Sequence, residues 1–295
     1  MKKVFLVVMS LMCLFLWGCG GKDAANAGGE KKVQVVASFF PMAEFAKNVG
    51  GQHVDVTTLI ADGVEPHDWE PTAKDLSKIK DADIFVYNGI VEPWAPKAAE
   101  SLDPKKVEVV EAGKALIEAA GKNDPHVWVS PKEAAGEVKV ITEALIKKDP
   151  AHKADYEKNS KAYLDKLAQL DKELKEVAST AKRKEFVTTH AAFNYLAHDY
   201  GLVQVAAMGI SPDAEPAPAD LTRLVNLVKD KKIKYVFFEE LVSPKVSETI
   251  AEAAGAKTMV LSPLEGLSTE QRKAGEDYIS VMKQNIANLK KALNE

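Results

Sequence analysis

The sequence predicts an α/β protein of two lobes, each a mostly parallel four-stranded sheet flanked by helices, linked by one long rigid helix. Three observations predict it. Short apolar runs alternate with helical segments from Val33 onward, the pattern of parallel sheets covered by helices. The second half of the chain repeats this plan without a clear sequence repeat. Between the halves, Tyr163, Leu167, Leu170, Leu174 and Val177 recur at helical spacing. A helix of about thirty residues there, at ~1.5 Å rise, is roughly 45 Å long, enough to span two lobes.

At the N-terminus, Lys2 and Lys3 precede an apolar run from Val4 to Trp17. The run is short for a membrane span and suits the h-region of a signal peptide. It ends in Leu16-Trp17-Gly18-Cys19, which resembles a bacterial lipobox. That resemblance implies a signal peptide over residues 1–18, cleavage before Cys19 and lipidation of its thiol. Residues 19–32, rich in Gly and small polar types, read as a flexible tether.

Residues 33–148 form the first lobe. VQVVASF is a strand, Pro41 opens a helix, and VDVTTLI is a second strand leading into VEPHDWEPT. Thr72 caps the next helix, with Asp75 in its first turn. IFVYN is a strand, WAPKAAESL a short helix and VEVVEA a fourth strand. DPHVWVSP follows, then a helix from Pro131 to Lys148. Residues 149–182 are the linking helix.

Residues 183–295 form the second lobe. FVTTH is a strand ending at His190, and AAFNYLAHDYG a helix closed by Gly201. LVQVAAM, YVFFEE and KTMVLSP are the remaining strands, with helices over Ala219–Lys231 and Ser243–Ala254 between them. One final helix is expected from Thr269 to Leu293, after the loop LEGLS.

The 295 residues are 28% charged with net charge −4. No basic excess exists to attract nucleic acid. Loss of Lys2 and Lys3 makes the balance more negative, which weakly suits a cation binder. Cys13 would be removed with the signal peptide, and nothing after Cys19 is Cys, so thiolate ligands are excluded.

Three of the six histidines, His67, His126 and His190, sit in proline-stiffened loops or just after strands. Ligands of parallel sheets bind at the carboxyl ends of strands. Glu265 occupies the matching place after the last strand, with Glu65, Glu239 and Glu240 as competing carboxylates. His53 lies at the wrong end of its strand. His152 is expected to be exposed, and His198 two turns beyond His190 on one helix. Three imidazoles and a carboxylate favour zinc over manganese, although copper and nickel accept the same donors.

Together VEPHDWEPT, DPHVWVSP, THAAFNYLA, GISPDAEPAP and SPLEGLS resemble the metal-binding lipoproteins of bacterial ABC importers, specifically the ZnuA/AdcA-type zinc receptors of cluster A-I. The resemblance implies Zn²⁺ as transported ligand, held between the lobes by His67, His126, His190 and Glu265. It implies a monomer tethered through lipid on Cys19 to the outer face of the cell membrane, periplasmic where an outer membrane exists. Its partners would be an ABC permease with its ATPase, and it would have no catalytic residues. Manganese receptors of the superfamily carry a carboxylate where this chain has His190. The His-rich loop common in zinc receptors is missing, since Glu111–Asp124 is short and contains no histidine. The rival readings are a manganese receptor, a secreted zinc hydrolase and an adhesin.

Overall fold

The structure, a computed structural model, describes residues 31–121, 123–212 and 216–295. The signal segment, Cys19 and most of the tether lie outside the described residues. Among the described residues, no helix is long and apolar enough to cross a membrane.

The first sheet contains β1 (Val33–Ala37), β2 (Val54–Thr58), β3 (Ile84–Tyr87) and β4 (Glu108–Glu111) in the order β2-β1-β3-β4. The second contains β5 (Glu185–Thr188), β6 (Val203–Ala206), β7 (Tyr235–Phe238) and β8 (Lys257–Val260) in the order β6-β5-β7-β8. All neighbours are parallel. Strand order therefore reverses beside β1 and again beside β5, which opens a crevice at the carboxyl ends there.

Helices α1 (Phe40–Gly50), α2 (Ala73–Asp81), α3 (Ala95–Glu100), α4 (Lys114–Ala120) and α5 (Pro131–Lys148) accompany the first sheet. The chain then crosses through α6 (Lys153–Thr180). Helices α7 (Asn194–Tyr200), α8 (Pro218–Asp230), α9 (Lys245–Ala254), α10 (Thr269–Ala274) and α11 (Tyr278–Asn294) belong to the second half. The α6 stripe of Tyr163, Leu167, Leu170, Leu174 and Val177 is buried. It packs on α1 and α5 from one half and α11 from the other. One apolar cluster thus runs through both halves. Phe45 of α1 meets Tyr278 of α11 edge-on at 5.2 Å.

Three expectations need correction. The final helix is two helices, because Gly275 takes a left-handed φ of 76° and Asp277 caps the next one through the Ser280 amide. His190 precedes α7 rather than sharing a helix with the exposed His198. His152 is half-buried, its ring stacked on His53 at 3.8 Å and its Nδ1 2.6 Å from Asp149.

Candidate metal centre

The loop after β2 carries His67. Its backbone N–H donates to Oε2 of Glu65 at 3.0 Å, and the turn is closed by Trp69 N–H on the Pro66 carbonyl. A reciprocal cap between Thr72 and Asp75 ends the loop and starts α2. Across the crevice, Gly63 N–H donates to the Leu267 carbonyl at 2.9 Å. Arg272 grips Asp62 with two bonds of 2.8 Å. The stretch bearing His67 is therefore tied to the stretch bearing Glu265.

His126 follows Pro125 and enters a short 3₁₀ turn, Val127–Val129. Oδ1 of Asp124 accepts from its backbone N–H at 3.0 Å and lies 2.8 Å from its Nδ1. A proton on Nδ1 leaves the Nε2 lone pair free to face a cation. His190 leaves the end of β5 with its carbonyl accepting from Thr188 Oγ1 and Gln204 Nε2. Oε2 of Glu239 lies 2.7 Å from His190 Nδ1, an ion-pair contact rather than an aligned hydrogen bond. The Thr189 hydroxyl holds the other oxygen of Glu239.

Glu265 stands on a strained turn. Leu264 takes a φ of 59°, unusual for a branched side chain. The surroundings hold it there: Leu264 is fully buried, Trp128 Nε1 donates to the Pro263 carbonyl at 2.8 Å, and Asn285 bonds both backbone groups of Ser262. Strain of this kind persists where packing over-determines it.

These four side chains, and no other group of three or more among the described residues, place His, Cys or carboxylate donor atoms within 4.8 Å of one another. Oε1 of Glu265 lies 3.1 Å from His67 Nε2, 3.2 Å from His126 Nε2 and 3.6 Å from His190 Nε2. Nε2 of His67 and His126 are 3.3 Å apart. A tetrahedral zinc with bonds of ~2.0–2.1 Å would separate its ligand atoms by about 3.3–3.4 Å. Glu65 reaches only 3.9 Å from His67 Nε2, and Glu240 is bonded to Gln271. The competing carboxylates thus stand around the cluster rather than in it.

The charges are tightly coupled. Burial pushes Glu265 toward its neutral form, but the rings of His126, His190 and His67 beside it outweigh burial and hold its pKa well below the usual carboxylate value. Burial opposes protonation of His190, yet Glu239 and Glu265 beside it raise its pKa to about 10. His67 is raised as well: desolvation pulls it down, and Glu265 and Glu65 more than offset that. Asp124 and Asn194, which spacing alone did not single out, support the cluster. An Asp two residues before a loop histidine is a local turn signal that points to Asp124.

The chain matches the family described as zinc-uptake complex component A, periplasmic (ZnuA), over residues 35–292. It belongs to the ZnuA family. It is 45% identical to the zinc-binding lipoprotein AdcA of Streptococcus pneumoniae strain R6, covering 100% of this chain and 62% of AdcA. The chain thus spans less than two thirds of that relative. It is 44% identical to the high-affinity zinc uptake system protein ZnuA of Bacillus subtilis, over 98% of this chain and 97% of the relative. Among solved structures, the Zn(II)-bound ZnuA-like domain of S. pneumoniae AdcA superposes with a TM-score of 0.81 at 49% identity, over 90% of this chain and all of that domain. The two-sheet plan with its linking helix is the fold of this family.

Proposed function

We propose that the chain is an extracytoplasmic receptor that captures Zn²⁺ and delivers it to an ABC permease driven by its ATPase. Nε2 of His67, His126 and His190 and a carboxylate oxygen of Glu265 would be the ligands. The lobes at residues 33–148 and 183–295 act as two walls of the site, joined through 149–182, and lipid on Cys19 keeps the monomer at the membrane. One observation carries this reading: three imidazole nitrogens and one carboxylate oxygen converge at zinc-like spacing from opposite halves of the chain.

Three nitrogens to one oxygen suit zinc better than manganese, which prefers sites richer in carboxylate. Four protein donors fill a tetrahedral shell and leave no position for an activated water. The proposed role is therefore capture and not hydrolysis. Helix α6, packed along both halves, favours small tilts and loop movements over a wide hinge.

The test is metal analysis of protein purified without added metal, beside a His190→Ala variant. About one zinc per chain is expected for wild type, consistent with a single four-donor site, and its loss in the variant. Manganese displacing zinc at comparable concentration would overturn the choice of metal. Metal-dependent turnover of an ester or phosphate substrate would overturn capture.

A further inference from the structure

We propose that Asn194 is a positioning residue for the metal cluster, a clasp across the two halves that sets His126 against His190. The inference rests on the receptor reading above. Asn194 opens α7 in the second half. Its Nδ2 donates to Oδ2 of Asp124 at 2.9 Å and to the Ala191 carbonyl at 3.1 Å. Both partners are acceptors, which decides how the amide is turned and uses both of its hydrogens. Through its other oxygen, Asp124 holds the Nδ1 and backbone N–H of His126. Ala191 adjoins His190. One amide group is therefore bonded to the carboxylate that orients the imidazole of the first half and to the backbone beside the imidazole of the second. Tyr195 adds a parallel bridge, its hydroxyl donating to the Asp124 carbonyl at 3.0 Å.

The consequence is a coupling between lobe position and ligand geometry. Zinc needs each nitrogen at ~2.0–2.1 Å from one centre. A tilt that carries α7 away from the first half either drags Asp124 or strips a donor from its outer oxygen. In the first case Asp124 is pulled from the His126 ring, and in the second Asp124 keeps that ring but loses the bond that fixes its own carboxylate. A docked permease that tilts the halves would thereby loosen His126 through one side chain.

The test compares zinc dissociation into excess chelator, followed by stopped flow, for wild type, Asn194→Ala, Asn194→Asp and Tyr195→Phe. Thermal melts and imidazole nitrogen NMR spectra of the zinc-free proteins accompany it. Asn194→Ala should release zinc about 10-fold faster, the lower end of the loss seen when an outer partner of a metal-bound histidine is removed. Asn194→Asp should release it faster still, because it sets a second carboxylate against Asp124. The His126 ring signal should shift in both variants and stay in place in Tyr195→Phe, with the melting temperature of Asn194→Ala near that of wild type. Should the alanine variant unfold, the isosteric Asn194→Asp carries the test. Dissociation at the wild-type rate with an unmoved His126 signal in the folded variant would overturn the clasp and leave the receptor reading intact. Wild type that takes up no zinc would overturn the receptor reading and the clasp with it.

Discussion

Nε2 of His67 and Nε2 of His126 stand 3.3 Å apart and share one oxygen of Glu265. Two protonated nitrogens at that distance repel each other, and two bare lone pairs do the same. The arrangement is satisfied by Glu265 accepting from both rings or by one cation between all three groups. Glu265, held in its charged form by its histidine neighbours, is the anion around which either solution forms.

Zinc uptake should release protons. Burial disfavours the charged ring of His190, but Glu239 and Glu265 raise its pKa to about 10, and His67 is raised too. Near neutral pH the ring of His190 is protonated before metal arrives, and zinc requires it neutral. At least one proton per zinc should appear in a weakly buffered dye assay around pH 7, and affinity should fall by at least roughly 10-fold per pH unit of acidification there. Zinc affinity that does not change between about pH 5 and 7 would contradict this use of histidine.

The zinc-free protein should show the opposite trend in alkali. The folded pKa of His190, about 10, exceeds the ordinary histidine value of 6.5. Its stabilising contribution is full below the unfolded pKa and disappears as pH rises through the folded one. Glu265 is depressed in the folded state, so its contribution is present above the unfolded pKa and is lost on acidification through the lower folded value. Urea midpoints of metal-free protein should therefore decline from neutral pH toward about pH 10, and His190→Gln should flatten that limb. A wild-type midpoint that is flat across this range would refute the coupling.

A second buried carboxyl makes a separate prediction. Glu137 on α5 is fully buried and accepts from Asn88 Nδ2 at 2.9 Å, while its other oxygen has no hydrogen-bond partner among the described residues. Desolvation, aided by Glu92 and Glu133 and opposed by the Asn88 bond, raises its pKa from 4.5 to about 8. Wild type then loses stability as pH climbs from the unfolded value through the folded one. Glu137→Gln keeps the shape and the acceptor without the charge. It should be more stable than wild type above about pH 8, by on the order of a few kcal/mol, measured by urea denaturation at a series of pH values. Equal stability of the two proteins at alkaline pH would show that Glu137 ionises without cost.

Local patterns made much of the fold legible. The apolar alternation marked all eight strands, the α6 stripe marked the linking helix, and Thr72 with Asp75 marked a cap that the structure contains. The split of the last helix was hidden because the residues before Gly275, Thr269–Ala274, are mostly good helix formers, and a lone Gly is compatible with a helix interior at modest cost. His152 was misjudged because its burial comes from His53, which lies far away in the sequence. The candidate site was legible in its parts only. Loop position and residue type singled out His67, His126, His190 and Glu265, whereas the Asp124–Asn194 bond depends on how the two halves face each other and the Glu239–His190 contact on the pairing of β5 with β7. The strained φ of Leu264 has no signature in residue type, because Gly is the usual choice there.

Trp128 joins the two halves at the point where Glu265 is presented. The ring is fully buried, packs edge-on to Phe39 at 4.9 Å and donates to the Pro263 carbonyl at 2.8 Å. Its own carbonyl accepts from Tyr278 Oη at 2.6 Å. Trp128→Phe keeps an aromatic ring but leaves the Pro263 carbonyl without its donor, at a cost of about 1–3 kcal/mol. The turn through Leu264 would then relax, and Glu265 would lose its fixed approach to the imidazoles. Zinc affinity should fall about 10-fold, in the range of lost support to a metal ligand. Tyr278→Phe removes the neighbouring bond and leaves the Pro263 carbonyl held, so it should lower stability while changing affinity far less. Chemical denaturation and zinc titration of both variants separate the two effects, and equal affinity losses would show that Trp128 supports the core without positioning Glu265.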